Sequence, residues 1–302
     1  MLFTLAAVAT LAWSQQTDTT VTVRAGMRLD IENFGGGIVV HATSQNSVRI
    51  KADHSSRDHV DVSVEGTTIS VRASGRRGPP TTVDYDVSVP TWMELNLHGT
   101  YTDIEVDGTQ GAVTAETVNG GVNVRGGSGT VSLKSVQGEI FLSDAKGHID
   151  VSTVNEAITL TNVSGDISAE TVSGDVTLGQ IESGNVEVNT TNGEIEYIGS
   201  IKDNGHYSFT TNNGNVKLAV PEASNATFTV STFNGDFDSC FPVSLDHSSK
   251  HRFSFKIGSG SAHVDLETFN GDIKLCRPGQ MTGRGNHSHD HDRDRDNDKE
   301  DN

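Results

Sequence analysis

Apolar residues in the middle of this chain fall on a nine-residue beat. Counted from Gly111, Gly120, Gly129, Gly138 and Gly147, they recur at +2, +4 and +7. The trios include Val131, Leu133 and Val136; Ile140, Leu142 and Ala145; Ile149, Val151 and Val154. They continue through Ile158, Leu160 and Val163; Ile167, Ala169 and Val172; and Val176, Leu178 and Ile181. The glycine is skipped at Glu156, resumes at Gly165 and Gly174, and slips by one residue to Gly184 and Gly193. Positions +2 and +4 alternate with polar residues, which predicts a short strand with a single inward face. Position +7 breaks the period of two, so the chain is expected to bend and return that residue, corner valines included, to the inside. A polar residue at +8 and the next glycine supply the corner. Nine residues leave no room for a helix, and a fixed period marks a repeat architecture. The prediction is an all-β fold, a parallel β-solenoid, right-handed because parallel crossovers favour that hand.

A slower rhythm sets the coil. Alternate corners read Glu116-Thr-Val-Asn-Gly, Lys134-Ser-Val-Gln-Gly, Ser152-Thr-Val-Asn-Glu, Glu170-Thr-Val-Ser-Gly and Asn189-Thr-Thr-Asn-Gly. One coil is therefore read as 18 residues, two nine-residue strand-corner units. Thr117, Ser135, Thr153, Thr171 and Thr190 then form one column, and Asn119, Gln137, Asn155, Ser173 and Asn192 another. Such ladders hydrogen-bond between coils and fix register. An ice- or sugar-binding threonine array would need two threonine columns on one flat face, and one is visible. Composition fits: 33% hydrophobic residues, 6% aromatics and 32 glycines among 302 are lean for a globule. They suffice where each coil covers the next.

Residues 1–14 read as an export signal: Leu2 to Trp13 is an apolar run of twelve, too short to span a bilayer. No later transmembrane segment is seen. Residues 15–105 carry alternating strands without the strict beat and read as an N-terminal β cap. Residues 106–278 read as the solenoid and 279–302 as a hydrophilic, disordered tail. In that tail His287, His289 and His291 are a weak candidate for Ni, Cu or Zn. Ser231-Thr-Phe-Asn-Gly-Asp-Phe-Asp-Ser-Cys240 and Glu267-Thr-Phe-Asn-Gly-Asp-Ile-Lys-Leu-Cys276 are two copies of one unit. Cys240 and Cys276 are therefore a candidate disulfide, in keeping with export.

The repeated Gly-Asp/Glu-Ile/Val-x-Val/Leu unit, Leu29-Asp-Ile-Glu-Asn33 and Val83-Asp-Tyr-Asp-Val-Ser-Val-Pro90 together resemble the bacterial putative adhesin domain family. The resemblance spans about residues 20–277. It implies an exported β-solenoid, its name suggests attachment, and it carries no catalytic or binding residues to transfer.

The chemistry is read in the same light. Calcium β-rolls need Gly-Gly-x-Gly-x-Asp in each corner; here one glycine precedes an acid such as Asp166 or Asp175, expected to face solvent. Outward residues of one face include Glu116, Lys134, His148, Asp150, Asp166, Glu170 and Glu187, which a solvated β-surface explains without catalysis. No cofactor is implied. A net charge of −18 argues against nucleic-acid partners. The expectation is a non-catalytic exported β-solenoid, secreted, at the cell surface or in the periplasm. It would act as an adhesin-like protein whose ligand is a surface, a glycan or an envelope protein. The alternatives are a periplasmic scaffold or sensor in envelope-stress regulation, and a carbohydrate-active β-helix lyase or hydrolase.

Overall fold

The computed structural model describes residues 14–76, 78, 80–249 and 251–280. The apolar run 2–13, and the candidate ligands His287, His289 and His291, lie outside the described residues. Twenty-four strands, and no helix among the described residues, form one continuous mixed sheet. The fold is solenoid-like. Parallel strands rise in two columns, one through Val113–Asn119, Ser128–Gln137, Lys146–Ser152 and Ser164–Ser173, the other through Val122–Gly126, Ile140–Ser143 and Ile158–Thr161. Val113, Val131, Ile149 and Ile167 are successive partners in the first; Val122, Ile140, Ile158 and Val176 in the second. All these side chains are buried and form the core between the columns. The residue inserted before Gly184 is absorbed in a bulge, where Ile167 pairs with Val186. There the buried Ser183 hydroxyl donates to the Gly165 carbonyl and accepts the Asn185 amide at 2.9 Å.

The two corners differ, and one of them overturns the expected place of the +7 valine. In Ser128–Gln137 the period of two runs on past Leu133, so Ser135 is buried and Val136 faces outward. Val154 and Val172 do the same, while Thr153 and Thr171 are buried. At the opposite corner Asp144, Asn162 and Gln180 adopt φ of 57°, 54° and 56°. That left-handed residue shifts the phase by one, and Ala145, Val163 and Ile181 return to the core. The hydroxyl takes the inward place because the corner of the preceding coil leaves a carbonyl to satisfy. Thr117 donates to the Thr102 carbonyl at 2.9 Å, Ser135 to Gly120 at 3.0 Å, Thr153 to Gly138 at 3.3 Å and Thr171 to Glu156 at 3.2 Å. The same bond recurs at Thr190, Thr211, Thr268 and Thr232.

Corner glycines permit close stacking. A Cβ on Gly138 would lie 1.8 Å from the Gly120 carbonyl oxygen. On Gly147, where φ is 121°, it would lie 2.2 Å from that of Gly129. The acid after the glycine is exposed at Asp175, as expected, yet it also has a partner: its carboxylate accepts the Glu194 amide at 2.7 Å.

At both ends the chain leaves sequential order. Arg28–Thr43 makes a full parallel coil against Glu94–Thr109, so parallel stacking reaches into the first hundred residues. Its other side carries the later strands Thr68–Gly75 and Asp84–Pro90. Antiparallel strands Ser14–Thr22, Ser47–Ser55 and Asp58–Glu65 lie beyond these. At the far end Ala262–Asn270 pairs on one side with His206–Asn213 and on the other with Ala226–Asn234. Ile273–Cys276 likewise lies between Val216–Ala219 and Phe237–Ser239. The last coil thus sits between two that precede it. Cys240 and Cys276 are joined by a disulfide across this junction, with Cα atoms 4.8 Å apart. Arg252–Ile257 and Leu245–Ser248 continue the sheet antiparallel beyond.

Candidate interaction surface

The outward valines gather into one edge. Val118, Val136, Val154 and Val172 are 37–50% exposed, each directly after a buried Thr or Ser of the hydroxyl ladder. Toward the N-terminal end the edge carries Phe34 and Tyr101, exposed rings in edge-to-face contact at 5.7 Å. Toward the other end Phe269 and Phe233 follow Thr268 and Thr232, stacked at 4.9 Å. His251 stacks on the outer face of Phe233 at 4.7 Å. These are eight of the eleven large exposed hydrophobics among the described residues. Thr191 and Asn212 hold the same position in the two intervening coils, flanked by partners in register. The corner geometry therefore does not require an apolar residue there.

Beside the valines runs a shallow groove of about 500 Å³. Thr117, Ser135 and Thr153 line it, Glu116, Lys134 and Glu170 supply its charged side, and His98 lies beside them. The His98 ring lies 3.6 Å from Glu116, and Lys134 bridges Glu116 and Asp150 at 4.0 Å each. A second hollow of about 370 Å³ shares His98 and Gly99 with the first and extends it past Phe34, Arg72 and Pro80. Arg72 is paired with Glu32 at 2.8 Å, and Asn33 donates to the Val83 carbonyl at 2.9 Å. On the other flank is an amide ladder: Asn119 to Gln137 at 2.9 Å, Asn213 to Asn192 at 2.8 Å and Asn234 to Asn270 at 2.9 Å.

Of the outward residues singled out from sequence, Glu116, Lys134 and Glu170 line this groove. Asp150 reaches it only through Lys134. His148 and Asp166 are neighbours in the next outward row, and Glu187 accepts from Asn189 at 3.2 Å. Phe141 is exposed on the other column, between Asn123 and Thr159. No group of three His, Cys, Asp or Glu suited to a metal ion occurs among the described residues. Nor does any helix there have the length and apolarity to cross a membrane. Sequence reading missed the aromatic-valine edge because it assigned the valines to the core. The sign was Phe233, Phe269 and Thr191 standing where the other corners carry valine.

Residues 168–276 match the family model described as Toastrack DUF4097. That part of the chain is similar to the Toastrack domain. It takes in the coils from Ser168 to the disulfide, with Val172, Phe233 and Phe269 of the exposed edge. Among solved structures, a putative adhesin from Bacteroides fragilis NCTC 9343 is 12% identical, over 86% of this chain and 97% of its own, with a TM-score of 0.38. A putative lipid binding protein from Parabacteroides distasonis ATCC 8503 is 10% identical, over 86% and 96%, with a TM-score of 0.41. A putative cell adhesion protein from Clostridium sporogenes ATCC 15579 is 10% identical, over 88% and 100%, with a TM-score of 0.24. No curated protein matches the chain.

Proposed function

We propose that this chain, Toastrack-like over residues 168–276, is a non-catalytic, exported adhesin-like protein that presents the edge of its solenoid to a partner at the cell surface or in the envelope. The solenoid is taken as right-handed, with 18 residues per coil and an N-terminal β cap. The observation that carries the reading is the gathering of exposed apolar side chains into a single edge. Contiguous exposed apolar surface marks interaction sites, and here the fold itself supplies the control, because Thr191 and Asn212 occupy the same place. The charged residues beside the edge are half-exposed and paired with one another, the condition of a recognition surface with a polar rim.

The test is exposure on intact producing cells, by protease shaving or antibody labelling. Labelling of intact cells supports surface adhesion and justifies a screen of surface and glycan ligands. Signal only after permeabilisation sinks the surface reading and turns the search to partners inside the envelope.

A further inference from the structure

The exposed edge has a property that narrows its partner. Its side chains repeat at the strand spacing, about 4.8 Å. A helix offers an apolar residue about every 5.4 Å along its axis, and an extended strand one about every 6.8 Å on a face. Either drifts out of step with the valines within a few coils. An object with the same rise stays in step from end to end, and a second copy of this chain is such an object.

We propose that two copies associate side by side through this edge, with their solenoid axes parallel and each coil facing its own counterpart. Val118, Val136, Val154 and Val172 then meet their equivalents, and Phe34, Phe269 and Phe233, which hold the same row at the two ends, do the same, while Tyr101 stands in the amide row. A two-fold axis parallel to the solenoids brings the charged row of one copy against the neutral amide row of the other. Lys134 faces Gln137 and Glu116 faces Asn119, so these charged residues meet amides and no like charge. An edge of about ten coils is roughly 43 Å long and, with both flanking rows, roughly 15 Å wide. That is roughly 650 Å² per copy, near the roughly 800 Å² of standard interfaces. The proposal rests on reading the edge as an interaction surface, and not on where in the envelope the protein resides.

Sedimentation of the purified full chain tests it. The expected result is a concentration-dependent dimer. The double variant Val136→Asp/Val154→Asp should weaken it at least tenfold without changing the circular dichroism melt. Val136→Asn/Val154→Asn, which copies Asn212, guards against a folding defect and should also weaken the dimer. Val118→Cys should form a covalent dimer on mild oxidation, since in an antiparallel pair the two cysteines lie roughly 24 Å apart. A wild type monomeric at all concentrations overturns self-association while leaving the cell-labelling result to stand by itself. A dimer that survives both double variants overturns the assignment to this edge. A dimer whose Val118→Cys form does not cross-link overturns the parallel arrangement.

Discussion

At the scale of single residues, the corner depends on a hydroxyl turned inward and a valine turned outward. Thr153→Val keeps the shape but leaves the Gly138 carbonyl without its donor, and should cost about 1–3 kcal/mol. Val154→Thr, one residue on and exposed, should change stability by no more than about 0.5 kcal/mol. Urea unfolding of the two variants checks the contrast; equal effects would remove the ladder from the account. Asp58 offers a pH test. Burial pushes its carboxyl upward, but hydrogen bonds from the Thr81 hydroxyl, the Ser55 hydroxyl and the Thr81 amide outweigh that and hold it below the usual range. Its contribution is therefore present above the unfolded value of about 3.9 and is lost as pH falls through the lower folded one. Asp58→Asn should be less stable than wild type at neutral pH, with the gap closing in acid. A gap that stays constant into acid would contradict this. The swap of Ser135 and Val136 was not legible in the sequence, because a hydropathy pattern ranks valine above serine for the interior. What decides the matter is the Gly120 carbonyl on the preceding coil, which the pattern does not display. The left-handed corner was half legible: Asp144 and Asn162 suit that conformation, while Gln180 gives no hint of it.

Among the elements, the repeat was the most legible feature, since a strand alternating in polarity and a corner glycine recur on one beat, the glycine at Gly138 standing where a Cβ would lie 1.8 Å from a carbonyl oxygen. The twin units ending at Cys240 and Cys276 were legible as copies. Their order of stacking was not, because neighbours in sequence are the natural guess for neighbours in space. The coil ending at Cys276 instead slots beneath the one ending at Cys240, and the disulfide closes a separation of 36 residues. Reduction should lower stability by roughly 3–4 kcal/mol if loop entropy governs. Hydrogen exchange should show the loss concentrated in Ala226–Asn234 and Ala262–Asn270, with Ser128–Gln137 little changed. Uniform loosening along the whole solenoid would contradict that assignment. Toward this end the core also changes from aliphatic to aromatic, with Tyr197, Tyr207, Phe209 and Phe228 buried. The Tyr207 hydroxyl accepts the Lys202 amide at 2.8 Å and donates to the Ser183 carbonyl at 2.6 Å. Wider coils are filled by larger side chains whose polar ends find backbone partners.

For the whole molecule, charge opposes what the apolar edge favours. Two chains of net charge −18 repel one another. Raising ionic strength from about 0.01 M to about 0.15 M shortens the screening length from about 30 Å to about 8 Å. The proposed dimer should therefore tighten as salt is added, followed by sedimentation. Weakening with salt would mean that ion pairs between the two copies, and not the valines, dominate the contact. The leapfrogged ends also bear on how such a protein lengthens. A coil appended after Cys276 would have no open face to join, because that strand is already flanked on both sides. The same holds before Arg28–Thr43, which is enclosed on both sides by strands that follow it in the chain. Between residues 113 and 180 every coil is interchangeable with the next, and a duplicated stretch there would add one more layer to the stack and one more residue to its apolar edge. The array can grow only from within, so its two ends are the parts that descent should hold fixed while its length drifts.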